Sequence, residues 1–393
     1  GNFREDFRFV MLNILQVFWQ FFVLGWVSFG GPAAHIGYFE KTFVQKLKWI
    51  DEHAYARLIS LSQFLPGPGS SQIGFAIGLK KAGIIGGFAA FVAFTLPSFF
   101  ILYLLSTSQP TQDMSWITNV IYGLKLFAVA VVADASINMY RAFCKERGTA
   151  LICMTTAVVL LLIPSIYSQM ALLVVAAIIG MLLRKTEMPT TLTKSGSRIG
   201  YVSLTIFIAL FLGLPLIAGS SIGMSIFADF FYSGSLVFGG GHVVLPMLQQ
   251  TIGETMSTDQ FLMGYAAAQA IPGPMFSLSA FLGAELFENA PLMGALIATI
   301  AIFLPGFLLV LSFNNAWESL AAKPRVAGAV WGINAAVVGL LVSALYQPVF
   351  TSAVSSAVDM AVVIVGLGAL RIVKAPILVV ISGFIAFGLI IGA

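Results

Sequence analysis

Long apolar runs separated by short polar strips set the pattern of this chain from end to end. In the first half they occupy about residues 10–30, 82–106, 117–140, 149–163 and 168–184. In the second they occupy about 199–218, 222–240, 291–313, 325–347, 353–371 and 376–392. Two further stretches, 54–80 and 258–285, are apolar but broken at their centres by Leu65-Pro66-Gly67-Pro68-Gly69 and Ile271-Pro272-Gly273-Pro274. A span needs about 20 apolar residues, so counting each broken stretch once predicts about thirteen membrane helices. Runs such as Ala171–Leu183 do not alternate, which excludes an outer-membrane β-barrel.

Composition agrees with the pattern. Of 393 residues, 59% are hydrophobic and 9% charged, and mean hydropathy is +0.97. Ordinary soluble domains carry about 25% charged residues, so so few charges could not cover a water-soluble surface. The net charge of +4 comes from lysines and arginines between apolar runs, which is a topology signal and gives no support to nucleic-acid binding. Two cysteines, Cys144 and Cys153, have no paired spacing of a metal or redox motif. No cofactor is implied, and no catalytic or metal-ligating constellation is visible.

Loop charges give an orientation through the positive-inside rule. Arg4 and Arg8 place the N-terminus in the cytoplasm, and Lys80/Lys81, Arg141/Lys145/Arg147, Arg184–Arg198, Lys323/Arg325 and Arg371/Lys374 fall on the same side. The intervening loops lack lysine and arginine, and the C-terminus falls outside. Lys41, Lys46 and Lys48 resist this scheme, because they sit in a loop expected to be external. Either the 54–80 stretch is a re-entrant hairpin, or these lysines snorkel from an interfacial helix or form an anion-attracting patch.

The chain repeats itself at a separation of about 207 residues. Phe29-Gly30-Gly31 with His35 returns as Phe238-Gly239-Gly240 with His242, and Gln63-Phe64-Leu65-Pro66-Gly67-Pro68 as Gln269-Ala270-Ile271-Pro272-Gly273-Pro274. Thr95-Leu96-Pro97-Ser98-Phe99 returns as Phe303-Leu304-Pro305-Gly306-Phe307, and Gly123-Leu124-Lys125 as Gly332-Ile333-Asn334. With an extra span at 199–218, seven spans separate equivalent positions, so the second copy enters the membrane inverted. Inverted repeats with interrupted helices at matching positions are the signature of a secondary transporter. The expected organisation is an N-terminal repeat at 1–184, a linker and connecting helix at 185–221, and a C-terminal repeat at 222–393. No GxxxxGK[ST] motif is present to drive an ATP-powered pump.

These motifs resemble the chromate ion transporter family in its long, two-domain form. The resemblance rests on FGG followed by His, on the paired Q-x-x-PGP motifs and on the LP-x-F helix in each half, and covers about residues 10–345. It implies an all-α polytopic protein of the cytoplasmic membrane, built from two inverted repeats of about six spans. Its implied activity is export of chromate from the cytoplasm, with sulfate as a competing analogue. The implied partners are those anions and the lipid bilayer; pairing into a homodimer stays open. Composition and spacing by themselves give only a transporter. A sulfate carrier, an anion channel and a membrane-embedded enzyme are the alternatives, and the lack of clustered His, Asp, Glu or Cys within spans weighs against the last.

The broken helices suit an oxyanion. Prolines flanking a glycine end a helix and free backbone groups, which within a bilayer must be buried in protein or face a watery cavity. The helix restarting after the first break presents the N–H groups of Gly69, Ser70 and Ser71 and a positive dipole end. The hydroxyls of Ser70 and Ser71 and the amides of Gln72 and Gln63 add donors. Pro66, Gly67 and Pro68, with Pro272, Gly273, Pro274, Gln269 and Ser277 in the second copy, are therefore candidate binding residues; a mere packing kink is the competing reading. The second break reads Met275-Phe276-Ser277-Leu278 where the first reads Gly69-Ser70-Ser71-Gln72, so the more polar first copy is expected to dominate. Gly30, Gly31, Gly239 and Gly240 either let backbone approach the substrate or cap helices. Lys125, whose repeat partner is Asn334, is a candidate counter-cation or a snorkelling residue. Asp134 and Arg57, with His35 and His242, are candidates for coupling or access.

Overall fold

The computed structural model describes residues 3–108, 115–183, 197–238, 241–316 and 323–391. The polar strip at 184–196 lies outside them, as do Gly239 and Gly240. Helices account for the regular structure, with no strand among the described residues. In the first half they are α1 (Phe3–Val27), α2 (Gly31–Phe39), α3 (Glu52–Phe64), α4 (Gly69–Thr107), α5 (Ser115–Phe143), α6 (Arg147–Leu162) and α7 (Ile166–Leu183). The connecting helix α8 (Arg198–Ile217) follows, then α9 (Ile222–Ser235), α10 (Val244–Ile252), α11 (Thr258–Ala270), α12 (Leu278–Leu286) and α13 (Pro291–Phe313). The chain ends with α14 (Pro324–Ala344), α15 (Ala357–Gly368) and α16 (Ile377–Ile391). Among the described residues, seven helices are long and apolar enough to cross a membrane, and three more are apolar but shorter.

These helices gather into two compact units, and each unit draws on both halves of the chain. One comprises Gly1–Thr107, Gly196–Ser235 and Ile271–Asn314; the other comprises Ser108–Ser195, Leu236–Ala270 and Asn315–Ala393. The stretches 1–184 and 222–393 thus mark sequence repetition, whereas packing divides the chain differently.

In the first unit α1 lies along α4, and α13 packs against α8, α9, α12 and α4. Buried phenylalanines fill its core: Phe21 stacks on Phe43 with ring centres 4.7 Å apart and meets Phe39 edge-on at 5.5 Å. In lipid, helices associate through close packing of small residues rather than a hydrophobic drive. Gly25 shows this on α1, since a Cβ there would stand 2.8 Å from the Phe94 carbonyl oxygen of α4. In the second unit α14 packs on α6 and α7, and α5 on α16. There Gly180 and Gly328 let α7 and α14 touch backbone to backbone.

Helix α4 is two helical stretches joined at Ala82 and Gly83, where φ is +67° at the glycine. Its first stretch ends at Lys80 and Lys81, and Lys81 Nζ lies 5.1 Å from the ring centre of Trp49, just before α3. The start of α3 and the end of that first stretch are neighbours, so Pro66-Gly67-Pro68 forms the tip of a helical hairpin. Of the readings left open for the Lys41–Lys48 loop, this favours the hairpin, since Trp49 at the end of that loop lies beside Lys81. Asp51 starts the hairpin by capping α3, accepting from the Ala54 N–H at 2.8 Å; that bond holds its carboxyl below the usual range.

Candidate functional site

Each break is built on a glycine with positive φ. Gly67 has φ +127° and Gly273 has φ +100°, a region L side chains rarely adopt. Leu65, ahead of Pro66, is extended, as a residue before proline prefers. After the first break α4 starts at Gly69; after the second, a 3-10 turn at Met275–Ser277 leads into α12. Within the first unit both breaks and both LP-x-F helices come together.

The assembly crosses the repeats reciprocally. A Cβ on Gly67 would stand 3.1 Å from the Gly306 Cα, in the LP-x-F segment of the second copy. A Cβ on Gly273 would stand 2.9 Å from Ser98 Oγ, in the LP-x-F segment of the first. Ser98 and Gly306 hold the same position in the two copies. The residues after the breaks repeat the pattern. Gln72 donates from Nε2 to the Pro66 carbonyl at 3.0 Å and to the Gly306 carbonyl at 3.2 Å. Ser277 and Ser98 share a hydrogen bond of 2.6 Å between their hydroxyls.

A third strand of bonds ties the two breaks together. His35 Nε2 lies 3.1 Å from the Ser28 carbonyl oxygen, which also accepts from the Gly273 N–H at 3.0 Å. A carbonyl only accepts, so Nε2 carries the proton; Nδ1 then accepts from the Ser70 hydroxyl, 3.1 Å away. Ser70, at the head of α4, is thus joined to Gly273 in the second break through His35 and Ser28. The imidazole is fully buried, edge-on to Phe94 at 5.2 Å.

Four buried side-chain oxygens in this unit lack a protein partner: Ser28 Oγ, Ser71 Oγ, Gln72 Oε1 and Thr95 Oγ1. Ser71 is 3% exposed and Gln72 1%. An unmet buried polar group costs about 1–3 kcal/mol, and such orphans call for an explanation by solvent, ligand or function. Two of the four follow directly on the first break. Ser277, which holds Ser71's position after the second break, has Ser98 as a partner. Gly306, which holds Ser98's position opposite the first break, has no hydroxyl to offer.

The remaining sequence candidates have other surroundings. Gln63 and Arg57 are exposed on α3. Gly30 and Gly31 have φ of +98° and +75°, and a Cβ on Gly31 would meet nothing within 4 Å; the turn into α2 demands them for conformation. In the second unit, Gln269 Nε2 lies 3.3 Å and the Tyr265 hydroxyl 3.1 Å from His242 Nδ1. Lys125 is ion-paired with Asp259 at 2.7 Å, and Asp134 with Arg371 at 2.8 Å. Ser28, Thr95, Ser98 and Gly306 went unmarked as site residues. Ser98 and Gly306 were legible only as the variable position of a repeated motif.

The family profile described as chromate transporter matches the chain twice, at residues 15–181 and 224–390. A probable chromate transport protein of Synechococcus elongatus is 27% identical over 85% of this chain and 84% of its own length. A chromate transport protein of Cupriavidus metallidurans is 28% identical over 85% of this chain and 82% of its own length. An uncharacterized transporter of Methanocaldococcus jannaschii is 27% identical over 84% of this chain and 83% of its own length. No solved structure matches the chain significantly.

Proposed function

Because this chain belongs to the chromate transporter family, we propose that it is a secondary carrier that exports chromate across the cytoplasmic membrane by alternating access. Sulfate is the competing substrate of this reading, and the N-terminus lies in the cytoplasm. The first broken helix is its anion cradle. The observation that carries this is the Ser71 hydroxyl, a buried donor without a protein partner in the first turn of α4. That turn also leaves its leading N–H groups without partners one turn back and carries the positive end of the helix dipole. A cradle of neutral donors binds an anion without a fixed cation, and so releases it more readily.

The duplication supports alternating access, since helices interrupted at matching positions of two repeats are where such carriers hold their substrate. Inside-out vesicles containing the protein provide the test. Saturable chromate uptake, stimulated by a counter-anion or proton gradient and without electrical conductance, is the expected result. Conductance with no counter-transport would make the protein a channel instead.

A further inference from the structure

Gln72 separates the first break from the second, where the same position is Leu278. Its partners fix how its amide is turned. The group lying against the Pro66 and Gly306 carbonyls has to be the nitrogen, because a carbonyl oxygen only accepts. Both amide hydrogens are thereby committed. What remains is Oε1, buried, without a partner and able only to accept. The same turn offers the Ser71 hydroxyl, also unpartnered, and the N–H groups at the head of α4. The cradle therefore presents several donors and one obligate acceptor.

A fully deprotonated tetrahedral dianion satisfies the donors and has no hydrogen for Oε1; its oxygen would be repelled there. A monoprotonated oxyanion satisfies both. We infer that this site takes its oxyanion in the monoprotonated form, as hydrogen chromate, and that Gln72 is the specificity-determining residue that accepts the ligand's hydrogen. The inference rests on the proposed cradle. It separates two anions that size and shape do not. The second proton of chromic acid is lost close to neutral pH, whereas sulfate is already bare of protons far below it. A site built to bond a ligand hydrogen rejects an analogue that lacks one, because a buried polar group is left unpaired.

Among the elements packed on α4, α2 brings His35, one bond removed from the turn through Ser70. Glu285 of α12 is engaged with Ser106 near the other end of α4. Helix α13 carries no charged residue, α1 carries its charges in its first turns, and Arg57 and Glu52 of α3 are exposed. Titration of any of these groups would act on every anion bound.

The decisive readout is chromate affinity, measured by calorimetric titration of the purified whole chain at pH 6, 7, 8 and 9, in the unmodified protein and in Gln72→Leu, which carries the residue of the second copy. Dividing the first affinity by the second at each pH cancels titration of the protein groups they share and leaves the demand for the ligand's proton. Above chromate's ionisation this quotient should fall about tenfold per pH unit. Sulfate, bare of protons throughout this range, should bind Gln72→Leu more tightly than the unmodified protein at every pH. A quotient that does not change with pH, or sulfate binding no better to Gln72→Leu, would overturn the inference while leaving the cradle standing. Should Gln72→Leu fail to fold, the chromate affinity of the unmodified protein decides: a fall of about tenfold per pH unit above the ionisation supports the inference, and a flat profile overturns it. Failure of chromate to bind at any pH would remove the cradle, and this inference with it.

Discussion

The two Pro-Gly-Pro breaks start from the same backbone chemistry and end in different states. Both turn on a glycine of positive φ, and both seat that glycine against the LP-x-F helix of the opposite copy. At the second break the next hydroxyl, Ser277, is answered by Ser98, and the following residue is the apolar Leu278. At the first, Ser71 Oγ has no protein partner, position 306 is glycine, and Gln72 Oε1 is buried without a partner. A duplicated motif has thus been closed in one copy and left chemically open in the other. The proposed seat of the anion at the first break rests on the two positions where the copies differ, Gln72 against Leu278 and Gly306 against Ser98.

Healing the breaks should expose that asymmetry most strongly. A Pro66→Ala/Gly67→Ala/Pro68→Ala variant lets the helix run through, with propensity favouring the repair by about 3 kcal/mol per proline and about 1 for glycine. Chromate affinity, read by equilibrium binding to purified protein, should fall by more than about a hundredfold as the freed N–H groups pair internally. The matching repair of Pro272, Gly273 and Pro274 breaks the Gly273 to Ser28 bond, and should cost stability more than affinity. Equal losses from both repairs would erase the distinction between the breaks.

A subtler change converts one break into the other. Gly306→Ser places Ser98's hydroxyl opposite the first break and offers Ser71 a partner. Its Cβ would stand 3.0 Å from Pro68 Cδ and 3.3 Å from Gln72 Nε2, so a modest drop in melting temperature should accompany it. Affinity should fall about tenfold, the worth of one hydrogen bond to a charged ligand. Unchanged affinity would place Ser71 outside the cradle.

The smallest effect is expected at Lys125. Its ammonium is already neutralised by Asp259, and the pair is partly exposed, so it contributes under about 1 kcal/mol. Lys125→Met should leave chromate affinity within about twofold. A loss of binding with folding intact would mean that the site needs a full positive charge, and the neutral cradle would be abandoned.

Much of the fold was legible because membrane helices announce themselves by length, and a proline pair around glycine stops a helix wherever it stands. The repeat was legible because its four motifs recur in order. The division into compact units was not, since no local rule sends α12 and α13 to join α1–α4. Nor was the pairing of Lys125, because its partner, Asp259, lies in a distant polar turn. Ser70, Ser71 and Gln72 could be named from the sequence as donors. That Ser71 stays unpartnered is visible only in the fold, and the turn of the Gln72 amide depends on the carbonyl of Gly306 in the other half of the chain. Nor was the difference between Gln63 and its repeat partner legible: Gln269 is buried, whereas Gln63 lies on an exposed face of α3.

The most direct test of the account removes one hydroxyl at each break and compares the two. Chromate binding to Ser71→Ala and to Ser277→Ala should be measured side by side on purified protein. Deleting a hydroxyl that meets a charged ligand costs about 1.5–3 kcal/mol, so Ser71→Ala should bind at least about tenfold more weakly. Ser277→Ala, whose hydroxyl is engaged with Ser98, should bind within about twofold of the unmodified chain. Equal weakening in the two variants, or a larger loss in Ser277→Ala, would contradict the assignment of the anion to the first break.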